Sequence, residues 1–280
     1  MQWLTLAVSL LVAAVVAPPL VRSLRDNGFT RENYREAQVA FPAGIAIPVV
    51  ALLALIPLSL LDELAGDDVD VFPPGSRAAL TFVVGIALLG LLDDLVGSDM
   101  PARGWRGHAR AAAGGGLTTG AIKAAGALGL ALFVLYGGGR SAGEYLLGAA
   151  VLVVATNLFN LLDLRPGRSA KALVLLGAGL TIGSQDVDPL WTVGLFLGPI
   201  LMLLPLDLRE VGMLGDTGSN AIGAVAGLWL VLTLDTTGQA IALALMALVT
   251  VYGEFRSIAA VIDRTPGLRH LDSLGRTTHA

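Results

Sequence analysis

Nine long apolar segments constrain the fold of this chain more than any other feature of its sequence. A helix needs about 20 apolar residues to cross a bilayer, and most of these segments approach that length. The sequence therefore predicts an all-α, polytopic membrane protein with about nine transmembrane helices. The nine segments are residues 2–21, 42–61, 77–92, 117–136, 144–162, 169–183, 190–206, 217–234 and 239–261.

The composition agrees with a helical membrane bundle. Hydrophobic residues make up 55% of the 280 residues and charged residues 14%, whereas a soluble domain has roughly 25% charged residues. The 35 glycines allow close helix packing in lipid. The absence of cysteine excludes disulfides, thiolate metal sites and cysteine nucleophiles. We expect one transmembrane domain over residues 1–280, with a cytoplasmic tail from about residue 262 and a retained first span.

The distribution of lysine and arginine predicts the orientation of the chain in the membrane. If the nine spans alternate in direction, 16 of the 18 basic residues lie on one side, and Arg77 and Arg140 lie on the other. Basic loops stay in the cytoplasm. We therefore expect the N-terminus outside the cell, the C-terminus in the cytoplasm, and the protein in the plasma membrane.

Acidic and amide side chains occur where three predicted spans meet the cytoplasm. Asp93 and Asp94 end the third span, and Asp216 begins the eighth. The fifth span ends with a cluster whose spacing of three and three puts its members on one helical face. That cluster consists of Asn157, Asn160 and Asp163.

A basic segment joins these clusters on the same predicted side. It is "RGWRGHARAAAGGGLTTGAIK", and it carries Arg103, Arg106, His108, Arg110 and Lys123. Carboxylates and amides without cysteine favour a hard cation, Mg²⁺ or Mn²⁺. Nearby basic residues suit a polyanion, so the expected substrates are a lipid phosphate and a soluble nucleoside diphosphate. Phosphoryl transfer needs mostly positioning and charge stabilisation, which such a site supplies.

Three segments resemble the signature motifs of the polyprenyl-phosphate phosphosugar transferases, the family that includes phospho-N-acetylmuramoyl-pentapeptide transferase. They are "GLLDDLVG", "NLFNLLDLRPG" and "GMLGDTGSNAIGA", and "NYREAQVAFPAGIAIP" is similar to the family's segment before its second span. The resemblance covers roughly residues 20–230. It implies transfer of a sugar-1-phosphate from a UDP-sugar to a polyprenyl phosphate, with release of UMP.

The resemblance also implies roles for particular residues. Asp216 would bind Mg²⁺ together with Asn160, and Asp93 and Asp94 would position or deprotonate the lipid phosphate. The expected substrate-binding residues include Lys123, which resembles a basic residue that meets the diphosphate. Asp163 would contact the nucleotide or the metal and is a catalytic candidate. Asn157 and Arg168 are the remaining candidates for substrate binding.

The chain departs from the family pattern in three places. The family's second aspartate after the asparagine pair is replaced by Pro166. The family's His-rich cytoplasmic loop is absent, with "RTPGLRHLDSLGR" in its place, and the chain is shorter by about one span. These departures argue most against the muramoyl-pentapeptide enzyme itself. We expect no nucleic-acid partner, and a homodimer is compatible with the sequence.

Other interpretations of the same residues stay open at this point. A non-catalytic relative could bind lipid phosphate as a scaffold or transporter, and "DDLVGSD" could bind Mg-diphosphate in a membrane prenyltransferase. An intramembrane aspartyl protease needs Gly-x-Gly-Asp, which the residues before Asp216 do not provide. Structural roles are the other alternative: Asp216 as a helix cap, Lys123 reaching the interface, and Asn157 and Asn160 holding helices together.

Overall fold

Each of the nine apolar segments forms a long helix. The protein is described here by a computed structural model that covers residues 1–65, 70–97 and 118–277. In chain order the helices are α1 (Leu4–Asp26), α2 (Ala46–Ala65), α3 (Ser76–Val96), α4 (Thr119–Leu135), α5 (Ala142–Leu162), α6 (Arg168–Ser184), α7 (Asp188–Leu208), α8 (Gly215–Thr233) and α9 (Thr236–Phe255).

Six of these helices are long and apolar enough to cross a membrane, which indicates a membrane protein. They are α1, α2 with the turn before it, α3, α5, α7 and α9. Helices α4 and α6 have 17 residues each. Helix α8 is central, because every residue from Thr217 to Val231 is buried.

Small residues bring the helices around α8 into close contact. A Cβ added at Gly223 would lie 2.7 Å from the Cα of Thr156, and one added at Gly177 would lie 2.3 Å from the Trp229 ring. Helix α1 packs against α7 in the same way, and the Ser9 hydroxyl donates to the Gly194 carbonyl at 3.0 Å. Such contacts are typical of helices that associate in lipid, where backbones must approach closely.

A short hairpin precedes α2 and was not expected from the sequence. Strands β1 (Thr30–Glu32) and β2 (Gln38–Ala40) pair antiparallel, and a 3-10 turn (Ala43–Ile45) follows. The segment before α8 runs beside this hairpin, since Met213 N–H donates to the Ala40 carbonyl at 2.9 Å. The hairpin therefore lies against the end of the bundle where α8 begins.

The last predicted span ends earlier than the sequence suggests. Helix α9 stops at Phe255 rather than at residue 261, because Arg256 is extended and Ser257 caps a new helix through Ala260 N–H at 3.2 Å. Two short helices follow, α10 (Ile258–Arg264) and α11 (Pro266–Ser273). The segment that follows α9 thus begins at about residue 256.

An ionic cluster fastens α11 to the bundle. Arg168, at the start of α6, donates from Nε and Nη2 to the Asp272 carboxylate at 2.8 and 2.9 Å. Arg276 donates to the same carboxylate and also to the Pro166 carbonyl at 2.9 Å. Burial alone would raise the pKa of Asp272, but hydrogen bonds and charges from the two arginines lower it to about 2.

We expect the Asp272→Asn variant to release α11 from the bundle. Arg168 is 6% exposed, so the change leaves a buried charge without its counterion, a loss that typically costs about 3–5 kcal/mol. Trypsin should then cut after Arg264 and Arg269 at least tenfold faster than in the wild-type protein. The exposed Asp186→Asn variant, far along the chain from both cleavage sites, is the control. Equal cleavage rates in all three proteins would contradict this role of Asp272.

The same cluster predicts an effect of acid. Because the folded pKa of Asp272 lies below its ordinary value, its contribution to stability is complete above pH 4 and is lost as the pH falls towards 2. The shift from 3.8 to about 2 corresponds to about 2 kcal/mol. The protection of residues 266–273 against hydrogen exchange, relative to the intrinsic exchange rate at each pH, should therefore fall over this pH interval in the wild-type protein and change less in Asp272→Asn.

Candidate functional site

A cavity of about 370 Å³ lies at the end of the bundle where the hairpin docks. The end of α3, the end of α5, the loop after α5 and the start of α8 all contribute to its wall. Four of the residues predicted from the sequence line it: Asp94, Asn160, Asp163 and Asp216. Side chains that are far apart in the chain therefore meet in one place.

Lys123 joins two of the predicted carboxylates. Its ammonium group donates to Asp93 Oδ2 at 3.0 Å and to the carboxylate of Asp216. These three residues come from α3, α4 and α8, and each side chain is between 20% and 29% exposed. Lys123 therefore lies inside the site rather than reaching the interface alone, and its charge offsets the repulsion between the two carboxylates.

Asp94 has a different environment from its neighbour Asp93. Its carboxylate accepts from the Asp216 N–H at 2.8 Å, from the Thr217 N–H at 2.8 Å and from the Thr217 hydroxyl at 2.6 Å. Asp94 is buried and thus caps the first turn of α8 from another helix. The sequence suggested a reacting carboxylate here, and the geometry instead favours a residue that positions Asp216.

Asn160 lies beside Asp216 and is oriented by α8. Its amide nitrogen is 3.3 Å from Asp216 Oδ2, and its amide oxygen accepts from the Ser219 hydroxyl at 2.8 Å. Ser219 also bonds the Gly215 carbonyl, which fixes the hydroxyl on the first turn of α8. Asn160 is therefore held with one face towards the cavity and one towards the helix.

Asp163, in the loop after α5, and Asp207, at the end of α7, are carboxylates of the same cavity wall. Asp207 accepts from the Gly167 N–H at 2.6 Å, so it holds this loop rather than pairing with Arg209. Burial, followed by the charges of Asp207, Asp216 and Asp94, raises the pKa of Asp163 well above its usual value despite the nearby Arg168.

Two predicted substrate-binding residues lie outside the cavity. Arg168 is buried in the ion pair with Asp272 described above. Asn157 is exposed, one turn before Asn160, and does not line the cavity. Both assignments stay predictions, and the geometry gives Arg168 a structural partner instead. Among the basic residues predicted near the site, Arg103, Arg106, His108 and Arg110 lie outside the described residues.

The donor set suits a hard divalent cation that shares its ligands with substrate. In the described ranges, no group of three or more His, Cys, Asp or Glu side chains is spaced to hold a metal by itself. Mg²⁺ typically takes one or two carboxylates and leaves the other positions to water and phosphates. Asp216 fits that pattern, and Asp163 lies in the same cavity wall. Asn160 directs its amide nitrogen towards Asp216 and its oxygen towards Ser219, so its amide group would have to turn to bind a cation.

The hairpin supplies cavity residues that the sequence did not single out as site residues. Arg31 stacks over the Phe41 ring at 3.7 Å, and Arg165 stacks over the Tyr34 ring at 4.2 Å. All four line the cavity. In the sequence the two arginines contributed to the predicted orientation alone, because nothing local connects each one to its aromatic partner.

Comparisons with known proteins do not identify the chain. No model of a known protein family matches it, and no curated protein matches its sequence. The all-α membrane architecture and the cavity described above therefore define the protein as a helical membrane protein with an acidic site at one end of the bundle. A function for the protein is therefore proposed from the chemistry of that site.

Proposed function

We propose that this protein is a Mg²⁺-dependent phosphosugar transferase, which transfers a sugar-1-phosphate from a UDP-sugar to a polyprenyl phosphate and releases UMP. One observation carries the proposal. Asp93, Lys123, Asn160 and Asp216 come from four helices and are linked by hydrogen bonds beside one cavity, which Asn160 and Asp216 line. These residues belong to the segments that resemble the motifs of the polyprenyl-phosphate phosphosugar transferases.

The proposal includes nine spans with the site at the cytoplasmic face of the plasma membrane. The ends of α3 and α5 lie beside the start of α8, as expected when consecutive helices alternate in direction. Arg31, Arg165 and Arg168 lie at this end of the bundle, and basic residues favour the cytoplasmic side. The N-terminus would then be outside the cell and the C-terminus inside.

The proposed reaction is a single phosphoryl transfer in which one P–O bond forms and one breaks. An oxygen of the lipid phosphate attacks the phosphorus that bears the sugar, and a new P–O bond forms. The bond from that phosphorus to the bridging oxygen breaks, and its electron pair leaves with UMP. Asp93 is the carboxylate available to accept a proton from the lipid phosphate, because Asp94 is committed to capping α8.

The other residues would position the substrates and offset charge. Lys123 would shift from the carboxylates to the diphosphate, where its ammonium neutralises charge during transfer. Asp216 and Asn160 would hold Mg²⁺, which when bound supplies stabilisation of negative charge on the transferring phosphoryl group. Asp94 would keep Asp216 in place by fixing the first turn of α8.

Purified protein with Mg²⁺, undecaprenyl phosphate and a panel of radiolabelled UDP-sugars provides the direct test. We expect lipid-linked sugar and UMP in equal amounts with at least one donor, and no product with EDTA. Binding of both substrates without turnover would instead favour a non-catalytic relative. Condensation of prenyl diphosphates with no use of UDP-sugars would favour a membrane prenyltransferase.

A further inference from the structure

Two arginines in the cavity share an unusual arrangement. The Arg31 guanidinium lies over the Phe41 ring at 3.7 Å, and the Arg165 guanidinium lies over the Tyr34 ring at 4.2 Å. Each stack holds the flat face of a guanidinium. Arg31 Nη2 also donates to the Asp94 backbone carbonyl at 3.0 Å, and in the described residues the other side-chain N–H groups of the two arginines form no hydrogen bond. Both arginines therefore have a fixed position in a cavity that a ligand can enter.

The acidic residues of the cavity do not neutralise these arginines. In the described part of the chain, neither Arg31 nor Arg165 forms an ion pair with a carboxylate. Asp94 and Asp207 accept backbone N–H groups, as described above. Within the described residues Arg31 therefore has one backbone acceptor and Arg165 has none, although carboxylates line the same cavity.

Glu210 shows most clearly why the carboxylates are not available. It accepts from Asn33 at 2.7 Å and from the Tyr34 hydroxyl at 3.1 Å, and it pairs with Arg35 at 3.3 Å. The same contacts fix the Tyr34 ring on which Arg165 stacks. The hairpin thus holds Tyr34 in place and binds the Glu210 carboxylate, so this acidic group does not pair with Arg165.

We propose that Arg31 and Arg165 bind the phosphate groups of a soluble nucleoside diphosphate in this cavity. The inference rests on the proposed function, because it places the diphosphate of the UDP-sugar against the side of the cavity that the hairpin forms. Guanidinium groups bind phosphate oxygens through two parallel N–H donors. Glu32 and Tyr34 of the hairpin are exposed and line this side of the cavity, where a soluble ligand can reach the two arginines.

Binding of UDP to the full-length protein in lipid nanodiscs, measured by calorimetry with Mg²⁺ at fixed salt, tests the inference. We expect Arg165→Gln and Arg31→Gln each to weaken UDP binding about tenfold or more, since each removes a charge-assisted contact. Arg165→Lys keeps the charge without the planar stack and should fall between wild type and Arg165→Gln. Arg140→Gln, in the turn between α4 and α5, should bind UDP as the wild type does.

A second pair of variants separates the aromatic ring from its hydroxyl. Tyr34→Phe keeps the ring under Arg165 and should keep most of the affinity, whereas Tyr34→Leu should lose affinity to about the same extent as Arg165→Lys. Thermal unfolding of every variant shows whether the fold is retained. A Tyr34→Leu protein that is folded and binds UDP normally would overturn the role of the stack.

The outcomes distinguish this inference from the transferase itself. UDP binding that depends on the arginines, without sugar transfer, would sink the transferase and leave the inference standing. Normal UDP binding in both glutamine variants, with transfer intact, would sink the inference alone. If these variants lose affinity for undecaprenyl phosphate but not for UDP, the arginines bind the phosphate of the lipid. The assignment of a soluble nucleoside diphosphate to them would then be wrong.

Discussion

Asp216→Asn is expected to reduce product formation by about a thousandfold or more. In the proposed reaction Asp216 holds the metal, and such a metal supplies several kcal/mol of charge stabilisation in the transition state. Asparagine has nearly the same shape as aspartate, so the fold should survive. The backbone N–H groups of residues 216 and 217, which donate to Asp94, are unchanged by the substitution. The measurement is the initial rate of lipid-linked sugar formation over a range of Mg²⁺ concentrations.

The control for this variant is the same substitution at a distant aspartate. Asp186 is exposed between α6 and α7, and its carboxylate accepts from the Asp188 N–H at 2.9 Å. Asp186→Asn should keep its rate within about twofold, as surface substitutions usually change little. Retained activity in Asp216→Asn with a normal Mg²⁺ dependence would show that this carboxylate does not hold the metal.

The helices were predictable because their signal is contained within each segment. About 20 apolar residues form a hydrophobic unit whatever the rest of the chain does, and each of the nine segments became a helix. The hairpin at residues 30–40 gave no such signal. Its strands have three residues each, and they are fixed by contacts with residues 211–214, more than 170 positions away.

The location of the candidate site followed from the sequence, but the partners of its residues did not. Asp93, Asp94 and Asp216 were expected on one side of the membrane, and they do lie together. Whether a carboxylate faces the cavity or a helix end is decided by packing. That is why Asp94 could not be recognised as a cap, although Thr217 after Asp216 was a signal that a helix begins there.

The partner of Arg168 could not be predicted from the sequence either. A basic residue five positions after Asp163 is close in sequence to the predicted cluster, so it was expected to bind substrate. Its partner Asp272 is 104 residues away on α11, and nothing in the sequence pairs the two. Long-range charge pairs of this kind need the folded chain, whereas local helix periodicity does not.

Gly44→Ala is expected to destabilise the protein by about 3 kcal/mol or more and to abolish ligand binding. A Cβ at Gly44 would lie 2.3 Å from both the Cα and the nitrogen of Gly218 and 2.4 Å from the Leu214 carbonyl oxygen. All three atoms are backbone, so no side chain can rotate away. Overpacking typically costs 1–3 kcal/mol when neighbours can adjust, and these cannot adjust without moving the start of α8.

The matched control is Gly129→Ala. Gly129 lies within α4, and an added Cβ there meets nothing within 4 Å. Alanine favours a helix over glycine by up to about 1 kcal/mol, so this variant should unfold at the wild-type temperature or slightly above it. Thermal unfolding of the three proteins in the same detergent, followed by circular dichroism, measures the difference.

The difference in stability between these two variants does not depend on the proposed reaction, whereas the accompanying UDP binding does. If Gly44→Ala displaces the first turn of α8, it moves Asp216 away from Lys123 and away from the cap that Asp94 provides. Loss of UDP binding should then accompany the loss of stability. If the Gly44→Ala protein unfolds at the wild-type temperature and binds UDP normally, then the 3-10 turn that contains Gly44 does not touch α8. The cavity that Asp94, Asp163 and Asp216 line would then have a different shape.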